Sequence, residues 1–581
     1  MFNSKRKYKK SEELDYENVF FDARNISQMN VQQMQGVIER PIAKYALFGI
    51  GIFFILLCSL FLTRVYAIQL VNGKELYERA EGNAVKYDVL FNKRGVIYDI
   101  HGVELAWNED VEGQDFANRR YTKTPGFSHI LGYVTYPQQD NRGKYFSTEY
   151  KGVSGLEFTY NDILNGQVGY RKSTVNNVGE IKDDSVIQEP IEGLNIYLTV
   201  DAELQGRLHK ELARYVEEQG FEGAAGIVMD LETGGILAMT SVPEYDSNVL
   251  ADGDDRDLIA SYNVDENKPF LNRAIGGTFA PGSVIKPFIA AGILDRDLVS
   301  PQYKLVTRGV ITVPNRYGGP AAYFRDARNN GVINIKEALA KSSNIFFFTF
   351  GGGFGEHEGL GIYGMKDYLN LFGFGEKTGL DELNELTGFI PTPEWKKETF
   401  NEPWLLGDTY FTAIGQYSFL ATPMQVLIAA SAIATDGQIL KPTLTLSKTE
   451  QSPLLREIDI SAQDFDVVQE GMRMVVTHPQ GTARSLDLPY VTVAAKTGTA
   501  ERGVNRSQWN SWTAGYWPYE NPRYAFVVMA ENGPAGNQLG ISRTVTRMFQ
   551  GMYADGIMDY FDNPELLRPG DETIPFVDQT Q

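Results

Sequence analysis

A run of uncharged, mostly apolar residues from Tyr45 to Thr63 constrains the fold of this chain more than any other feature. Lys44 and Arg64 bound it, and about 20 apolar residues are what a helix needs to cross a bilayer. A cleaved signal peptide would have a shorter apolar region near the N-terminus, followed by a small-residue cleavage site. Here a polar segment, residues 1–43, comes first. We therefore predict an uncleaved transmembrane helix over residues 44–64, in preference to a signal peptide or a buried core helix.

Charge and cysteine content narrow the class of protein. The 581 residues carry a formal net charge of −20, which argues against nucleic-acid binding because no large basic face is available. Basic residues cluster only between Lys5 and Lys10, in a tail (residues 1–43) that we predict to be cytoplasmic. The single cysteine, Cys58, falls in the apolar run, so no intrachain disulfide can form.

The histidines give no sign of a metal site. No two of the five have the spacing of metal ligands along a helix. We therefore expect no metal and no cofactor, and interpret the histidines as structural or surface residues. They are His101, His129, His209, His357 and His478.

Three short motifs follow one another along the chain: Ser283-Val284-Ile285-Lys286, Ser342-Ser343-Asn344 and Lys496-Thr497-Gly498-Thr499. A serine hydroxyl is a poor nucleophile until a neighbouring base takes its proton. Residues three apart on a helix share one face, so a helix beginning at Ser283 brings Lys286 within reach. The Pro281-Gly282 turn signal and Pro287 both place a helix start at this motif.

The remaining motif residues suggest roles in acyl transfer. Lys286 can act as a base only if burial or a nearby cation, such as Lys496, lowers its pKa. Asn344 would hydrogen-bond the neutral amine, and Ser342 would pass a proton to the leaving amine. Each motif alone is common in ordinary helices, turns and strand ends, but the ordered set favours a catalytic centre.

The third motif is suited to binding the substrate. Thr497 and Thr499 are placed to bind a carboxylate beside Lys496, with Gly498 between them. We expect the backbone N–H groups of Ser283 and Thr499 to form an oxyanion hole.

Together the three motifs match the signature of penicillin-binding proteins and class A β-lactamases, with Ser343 where the signature has aspartate. Other blocks resemble class B penicillin-binding proteins in particular. These are Arg94-Gly95-Val96-Ile97-Tyr98-Asp99, Leu105-Ala106-Trp107-Asn108, Ser154-Gly155-Leu156-Glu157, Leu198-Thr199-Val200-Asp201 and Asn272-Arg273-Ala274.

A later stretch resembles the elongation-type subfamily, penicillin-binding protein 2. It contains Trp395-Lys396, Trp404, Gly407-Asp408-Thr409, Ile414-Gly415-Gln416 and Thr422-Pro423-Met424-Gln425. The chain departs from the family pattern at Tyr417, where glycine is usual, and at Ile100-His101, where Arg-Asn is usual.

The resemblance implies an α+β fold with a single N-terminal transmembrane helix. A β-rich pedestal domain of the dimerisation type would span residues 65–190. A penicillin-binding, β-lactamase-like transpeptidase domain, with a central antiparallel sheet flanked by helices, would span residues 191–565. A polar tail would occupy residues 566–581.

The resemblance also implies a function. The chain would be a peptidoglycan D,D-transpeptidase of cell elongation that attacks the D-Ala-D-Ala end of a stem peptide and forms an acyl-enzyme on Ser283. β-Lactam antibiotics would acylate the same serine. Expected partners are a RodA-type glycosyltransferase and other membrane proteins of the elongation complex. The chain would lie in the bacterial inner membrane, with its N-terminus in the cytoplasm and its catalytic domain in the periplasm.

Several alternatives remain open from the residues alone. A D,D-carboxypeptidase or β-lactamase would use water as the acceptor, and a class A β-lactamase would need a Glu-x-x-Leu-Asn motif. Leu383-Asn384 fits its end, but Leu380 stands in the glutamate position and Glu382 is out of register. A division-type class B enzyme and a non-catalytic β-lactam-binding scaffold are the other possibilities.

Overall fold

The computed structural model describes residues 44–76, 85–175, 181–315, 319–446, 454–536 and 539–556. The chain divides into two compact units, Met1–Lys86 with Thr174–Lys182, and Tyr87–Ser173 with Asp183–Gln581. The predicted tails, residues 1–43 and 566–581, lie outside the described residues.

The first unit contains the apolar helix. Helix α1, Lys44–Tyr66, continues through a π-helical turn, Ala67–Val71, so that the helical segment has 28 residues. It is long and apolar enough to cross a membrane, and none of its most apolar window is buried inside the protein. A buried core helix is therefore not what this sequence forms. The described part of the helix includes Lys44 and extends beyond Arg64, the last residue of the predicted span.

The strands have the following bounds within the described residues: β1 Val85–Leu90, β2 Ile97–Tyr98, β3 Glu104–Glu109, β4 Asn118–Tyr121, β5 Val134–Thr135, β6 Gln138–Gln139, β7 Tyr145–Ser147, β8 Lys151–Gly152, β9 Gly169–Val175, β10 Ile181–Gln188, β11 Ile196–Tyr197, β12 Gly223–Asp230, β13 Ile236–Val242, β14 Leu305–Thr307, β15 Val310–Val313, β16 Ala322–Arg325, β17 Gly331–Ile333, β18 Gln438–Leu440, β19 Leu454–Glu457, β20 Ala494–Arg502, β21 Gln508–Trp517 and β22 Tyr524–Pro534.

The helices after α1 are α2 Ser128–Leu131, α3 Gly155–Thr159, α4 Asn161–Asn165, α5 Ala202–Gln219, α6 Ser247–Asp252, α7 Arg256–Val264, α8 Lys286–Asp295, α9 Ile335–Ala340, α10 Asn344–Phe347, α11 Gly361–Leu371, α12 Pro393–Phe400, α13 Leu406–Ala413, α14 Pro423–Ala434, α15 Ala462–Thr477 and α16 Ser542–Ala554. Short 3₁₀ turns lie at Gly282–Ile285, Arg484–Leu486 and Val504–Arg506, and a second π-helical turn at Phe348–Gly352.

A five-stranded sheet of order β13–β12–β22–β21–β20 forms the centre of the second unit, and every neighbouring pair is antiparallel. Side chains alternate between the two faces of a strand. In β12, Ala225 and Ile227 join one apolar core while Ala224 and Val228 join another. Strand β12 is buried on both faces because helices cover the sheet on both sides, which confirms the predicted architecture.

Helix α14 is the innermost of these helices, and all of its residues are buried. Its start follows from Thr422-Pro423-Met424-Gln425. The Thr422 hydroxyl accepts from the Gln425 N–H at 3.2 Å, and the Gln425 side chain accepts from the Thr422 N–H at 3.0 Å. This capping box, with proline at the first helical position, sets the helix N-terminus.

The pedestal blocks meet in a buried ion cluster. Glu157, from the Ser-Gly-Leu-Glu block, accepts from Arg94 Nε at 2.6 Å and from Arg119 Nε at 2.7 Å. None of the three side chains is exposed. Because an isolated buried charge is costly, the two arginines and the glutamate depend on one another. The Arg94 and Glu157 blocks are therefore joined in space.

Three local patterns can be compared with the structure. The apolar spacing of Leu204, Leu208 and Leu212 predicts a helix, and α5 covers it. The turn signal Glu232-Thr233-Gly234-Gly235 predicts a hairpin within residues 223–240, and β12 and β13 form it. The glycine run from Gly351 to Gly355 is typical of a flexible turn. Its first two residues instead end the π-helical turn, where a Cβ on Gly352 would lie 2.4 Å from the Tyr410 ring.

Candidate active site

The turn that carries Ser283 lies against strand β20. Ser283 is half-buried in the 3₁₀ turn Gly282–Ile285, and the α-helix proper begins at Lys286. The prediction that Ser283 begins an α-helix is therefore corrected by one turn. The reason is Pro287, which has no N–H to donate to the Ser283 carbonyl; Lys286 N–H binds that carbonyl instead, with 3₁₀ spacing.

Two glycines allow this turn to pack closely. Gly282 has a φ of 58°, and a Cβ there would lie 2.5 Å from the Thr499 carbonyl oxygen. Gly415 has a φ of 72°, and its carbonyl accepts from the Gly282 N–H at 2.8 Å. A Cβ on Gly415 would lie 2.2 Å from the Gly282 carbonyl oxygen. The Gly415-Gln416 segment and strand β20 thus hold the Ser283 turn between them.

The second motif lies in the link between α9 and α10. Ser342 has a φ of 54°, a left-handed conformation that is unusual for a residue with a side chain. Ser343 follows as the N-cap of α10, and Asn344 is its first residue. The link thereby directs both Ser342 and Asn344 toward the amine of Lys286.

The two motif lysines meet at one hydroxyl. Lys286 Nζ donates to the Ser342 carbonyl at 2.8 Å, to Asn344 Oδ1 at 2.8 Å and to Ser342 Oγ at 3.3 Å. Lys496 Nζ lies 3.0 Å from the same Ser342 Oγ and 2.9 Å from the Thr497 carbonyl. The structure therefore brings Lys286, Ser342, Asn344 and Lys496 into one hydrogen-bonded group. Lys286 connects this group to Ser283, which lies three residues before it in the chain.

Burial controls the protonation of both amines. It lowers the pKa of Lys286 to about 7, and the negative charge of Asp326 opposes this shift. Burial, reinforced by the neighbouring Lys286, also holds the pKa of Lys496 well below its usual range. The expectation that Lys496 supplies the charge that lowers the pKa of Lys286 is thus corrected. Desolvation is the main cause, because two adjacent buried ammonium groups cannot both be well solvated.

One acidic residue beside this group, Asp326, is not among the residues that the sequence patterns single out. It follows β16, and its carboxylate accepts from Ser343 Oγ at 2.7 Å and from the Asn344 backbone N–H. The Ile345 N–H also points at it, 3.3 Å away. Asp326 thus caps the first turn of α10 and fixes the second motif. No local pattern marks it, since its partners come from a different segment of the chain.

The third motif lies within strand β20, at the edge of the central sheet. Thr497 Oγ1 is 2.6 Å from Thr482 Oγ1, a residue that the sequence patterns did not single out. Gly498 packs on the Ser283 turn, where a Cβ would lie 2.5 Å from the Pro281 carbonyl oxygen. Thr499 is exposed. An edge strand leaves backbone groups free to pair with an extended peptide.

Glu382, the near-match to a class A β-lactamase glutamate, is bound to the segment that follows β18. The Glu382 carboxylate accepts from Thr443 Oγ1 at 2.7 Å, from the Leu444 N–H at 3.0 Å and from Thr445 Oγ1. Leu380, at the expected glutamate position, is buried. Glu382 therefore has a structural role, in which it holds the segment after β18.

Within the parts of the chain that the structure describes, no group of three or more His, Cys, Asp or Glu residues is arranged to hold a metal ion. A serine lies on a helix-start turn, a partly neutral buried lysine lies one turn on, and a hydroxyl bridges to a second lysine. This arrangement suits acyl transfer through a serine.

Comparisons with known proteins agree with this geometry. Residues 224–549 match the penicillin-binding protein transpeptidase domain, and residues 110–198 match the penicillin-binding protein dimerisation domain. The peptidoglycan D,D-transpeptidase MrdA of Escherichia coli K12 is 31% identical over 465 residues, which cover 74% of this chain and 70% of that protein.

Solved structures with 27% sequence identity are also similar. The complex between PBP2 and MreC from Helicobacter pylori gives a TM-score of 0.67 and covers 81% of this chain and 99% of that chain. A structure described as "Structural coordination of polymerization and crosslinking by a peptidoglycan synthase complex" gives 0.67, with 88% and 98% covered.

The order of domains and the serine–lysine centre define a penicillin-binding protein of class B. The chain belongs to the penicillin-binding protein transpeptidase family, whose model matches more than half of its residues. Within that family its likeness to MrdA and PBP2 makes it an elongation-type member.

Proposed function

We propose that this chain is the D,D-transpeptidase that cross-links peptidoglycan stem peptides during cell elongation, with Ser283 as the acylated nucleophile. The observation that carries the proposal is the meeting of Lys286 and Lys496 at Ser342 Oγ, at 3.3 and 3.0 Å. All three motifs contribute to a path that can move protons in both directions between a nucleophile and a leaving group.

In this mechanism Lys286 removes the proton from the Ser283 hydroxyl. It can do so because its pKa, lowered by burial to about 7, leaves a large neutral fraction at physiological pH. Asn344 orients the amine through the 2.8 Å hydrogen bond to its Oδ1. Ser283 attacks the penultimate D-Ala carbonyl, and the bond to the terminal D-Ala breaks as its nitrogen gains a proton.

Ser342 delivers that proton to the departing D-Ala amine. Its hydroxyl hydrogen-bonds both amines, so a proton can pass from Lys286 through Ser342 as the acyl-enzyme forms. The reverse path deprotonates the amine of the acceptor stem, which then displaces Ser283 and forms the cross-link. A β-lactam follows only the first half, and its acyl-enzyme persists.

The bound substrate carboxylate would determine which of the two lysines carries a proton. Thr497 and Thr499 bind it beside Lys496, while Gly498 lets the strand approach the Ser283 turn. A carboxylate next to Lys496 raises the pKa of that amine, because opposite charge favours the protonated form. With the carboxylate bound, Lys496 holds a proton, and Lys286 is left neutral as the base. The backbone N–H groups of Ser283 and Thr499 receive the developing oxyanion.

The test is acylation by a fluorescent penicillin, measured with the full-length protein in detergent. The native chain is expected to label in a rapid burst without fast penicillin hydrolysis, and Ser283→Ala is expected not to label. Ser261→Ala, which changes an exposed serine on α7, is the matched control and should label normally. If the Ser283→Ala variant still carried the label, the proposal that Ser283 is the nucleophile would be wrong.

A second assay separates the possible acceptors. The native chain given a donor stem and an amine acceptor should form the cross-linked dimer in excess over the hydrolysed donor. Dominant hydrolysis would instead indicate a carboxypeptidase. Leu380 stands at the position of the deacylating glutamate of a class A β-lactamase, and Glu382 is engaged by Thr443 and Leu444, which favours the first outcome over hydrolysis assisted by such a glutamate.

We also propose a place in the cell envelope. The apolar helix α1 would cross the inner membrane, with residues 1–43 in the cytoplasm and the catalytic domain in the periplasm. By analogy with the PBP2–MreC complex and the synthase complex, this chain would assemble with elongation-complex membrane proteins, including a RodA-type glycosyltransferase. Exposed apolar side chains in the pedestal, such as Phe146 and Phe158, support a protein-binding role for that domain.

A further inference from the structure

Two cations without ion-pair partners lie along one edge of the site, between the second and third motifs. Lys341 immediately precedes Ser342, and Arg328 lies two residues after Asp326. Arg328 is exposed and Lys341 is half-buried. Among the residues that the structure describes, neither forms an ion pair with a carboxylate, although the chain has 74 acidic and 54 basic residues.

A hydrogen-bonded loop connects this edge to the third motif. Arg328 Nη2 donates to the Gln480 carbonyl at 2.8 Å. Two residues further along the chain, Thr482 Oγ1 is 2.6 Å from Thr497 Oγ1. The loop of residues 478–482 therefore spans from the Asp326–Arg328 turn to the side chain that we assign to the substrate carboxylate.

The two cations flank one hydrogen-bonded pair. Arg328 lies two residues after Asp326 and Lys341 lies two residues before Ser343, and Ser343 Oγ donates to the Asp326 carboxylate at 2.7 Å. Both cations also lower the pKa of His478, after burial and against the opposing charge of Glu337. Within the loop, His478 Nδ1 accepts from the Gln480 N–H at 3.0 Å.

The nearby acidic groups are already engaged. Glu337 Oε2 accepts from the Asn334 N–H at 3.0 Å in a capping box, and Asp326 accepts from Ser343 and Asn344. These donors hold both carboxylates in place, and within the described residues neither carboxylate forms an ion pair with Arg328 or Lys341. The guanidinium and ammonium groups can therefore bind an anionic ligand directly.

We propose that Arg328 and Lys341 form a subsite for a second carboxylate of the stem peptide, separate from the terminal carboxylate at Thr497 and Thr499. The proposal rests on the proposed function, because it assumes that a peptide occupies the site. Arg328 has five N–H donors, and the bond to Gln480 uses one nitrogen, so the others can bind a carboxylate oxygen. Lys341 supplies a second charge from the link between α9 and α10.

The test compares two donor pentapeptides that both end in D-Ala-D-Ala. They are identical except that one internal residue carries a free side-chain carboxylate in the first and a carboxamide in the second. The full-length protein in detergent is assayed for D-Ala release. The native chain is expected to prefer the carboxylate peptide by about three- to tenfold in kcat/KM, the size expected of partly exposed ion pairs.

The variant that tests the cations is R328Q/K341Q. It should lose the preference for the carboxylate peptide, so that the ratio of kcat/KM for the two peptides falls to about one. The matched control is R142Q/K210Q, which neutralises two exposed cations on the pedestal and on α5. The control should keep the preference. A native chain without any preference, or a double variant that keeps it, would overturn the subsite.

Two further measurements keep the result unambiguous. The Lys341 side chain makes no hydrogen bond in the described structure. The variant K341E should therefore invert the preference toward the carboxamide peptide. Fluorescent penicillin labelling should be equal in the native chain and in all these variants. Absence of labelling in the native chain would count against the proposed function itself, whereas normal labelling without a peptide preference would count against the subsite alone.

Discussion

The hydroxyl of Ser343 donates a hydrogen bond to the carboxylate of Asp326 at 2.7 Å. Ser343 is the residue at which the second motif departs from the signature, and it is fully buried. Its partner comes from the turn after β16 and also accepts from the backbone of α10. The middle residue of the motif is therefore a structural tie, which keeps Ser342 and Asn344 in place around the Lys286 amine.

The pH dependence of acylation should follow Lys286. Burial lowers its pKa to about 7, and only the neutral amine can take the Ser283 proton. The rate constant for penicillin acylation should therefore rise about tenfold per pH unit below that pKa and level off above it. Stopped-flow acylation across the pH range measures this. A rate that does not change from about pH 5.5 to 8.5 would contradict the assignment of Lys286 as the base.

Replacement of Asp326 by asparagine should shift that profile. The negative charge of Asp326 raises the pKa of Lys286 against the effect of burial, so its loss lowers that pKa further. The midpoint of the acylation profile should move to lower pH. The plateau rate should fall as well, because a charged acceptor of the Ser343 and Asn344 donors is lost, at a cost of about 1–3 kcal/mol in stability.

Asp367→Asn is the matched control for this change, since Asp367 is an exposed aspartate on α11. It should leave the midpoint and the plateau where they are in the native chain. A midpoint of Asp326→Asn that moves to higher pH would show that the sign of this interaction is wrong.

Tyr417 should carry backbone strain. It stands where the family usually has glycine and has a φ of 68°. Its ring lies 5.7 Å from that of Trp404, and the Lys396 amine lies 5.7 Å from the ring centre. Both Tyr417→Gly and Tyr417→Ala lose these contacts, but only glycine relieves the strain. Tyr417→Ala should therefore be less stable than Tyr417→Gly, by about 1 kcal/mol.

The neighbouring residue provides the control. Ser418 does not have a positive φ, so Ser418→Gly should be less stable than Ser418→Ala, by about 0.5–1 kcal/mol. Thermal unfolding midpoints of the four full-length variants give both comparisons. The same order of glycine and alanine at both positions would contradict strain at Tyr417.

Two buried histidines should make the fold sensitive to acid. Burial lowers the pKa of His129 and of His209 to about 4, from an ordinary value of 6.5. The unfolded chain therefore binds protons that the folded chain excludes between those pH values. Stability should be complete above about pH 6.5 and be lost as the pH falls toward 4, by up to about 3 kcal/mol for each histidine.

His209→Gln should flatten this dependence, because glutamine does not titrate and can still hydrogen-bond the Thr240 hydroxyl, which lies 2.8 Å from His209 Nδ1. His357→Asn, a change at a partly exposed histidine, should leave it unchanged. The measurement is the unfolding midpoint of each full-length protein at several pH values. An equally steep loss of stability in His209→Gln would exclude this histidine as a cause.

Local patterns sufficed to predict much of the fold. The uncharged run before Arg64 is long enough to span a bilayer, and a helix covers it. The turn signal Glu232-Thr233-Gly234-Gly235 predicts the hairpin of the central sheet. The turn signal before Ser283 and the proline after Lys286 placed a helix start at the nucleophile, although the first turn is 3₁₀ because Pro287 cannot donate. Such signals act over a few residues, so a sequence reveals them directly.

By itself, the sequence determined the chemistry: a serine, two lysines and a bridging hydroxyl in a fixed order. Only the tertiary structure decided how these groups behave. It buried both amines, which lowers their pKa values, and brought Asp326 to Ser343 and Arg328 to Gln480. The physical reason is that desolvation and Coulomb interactions depend on distances through space. Those distances are set when separate segments pack, and no short stretch of sequence records them.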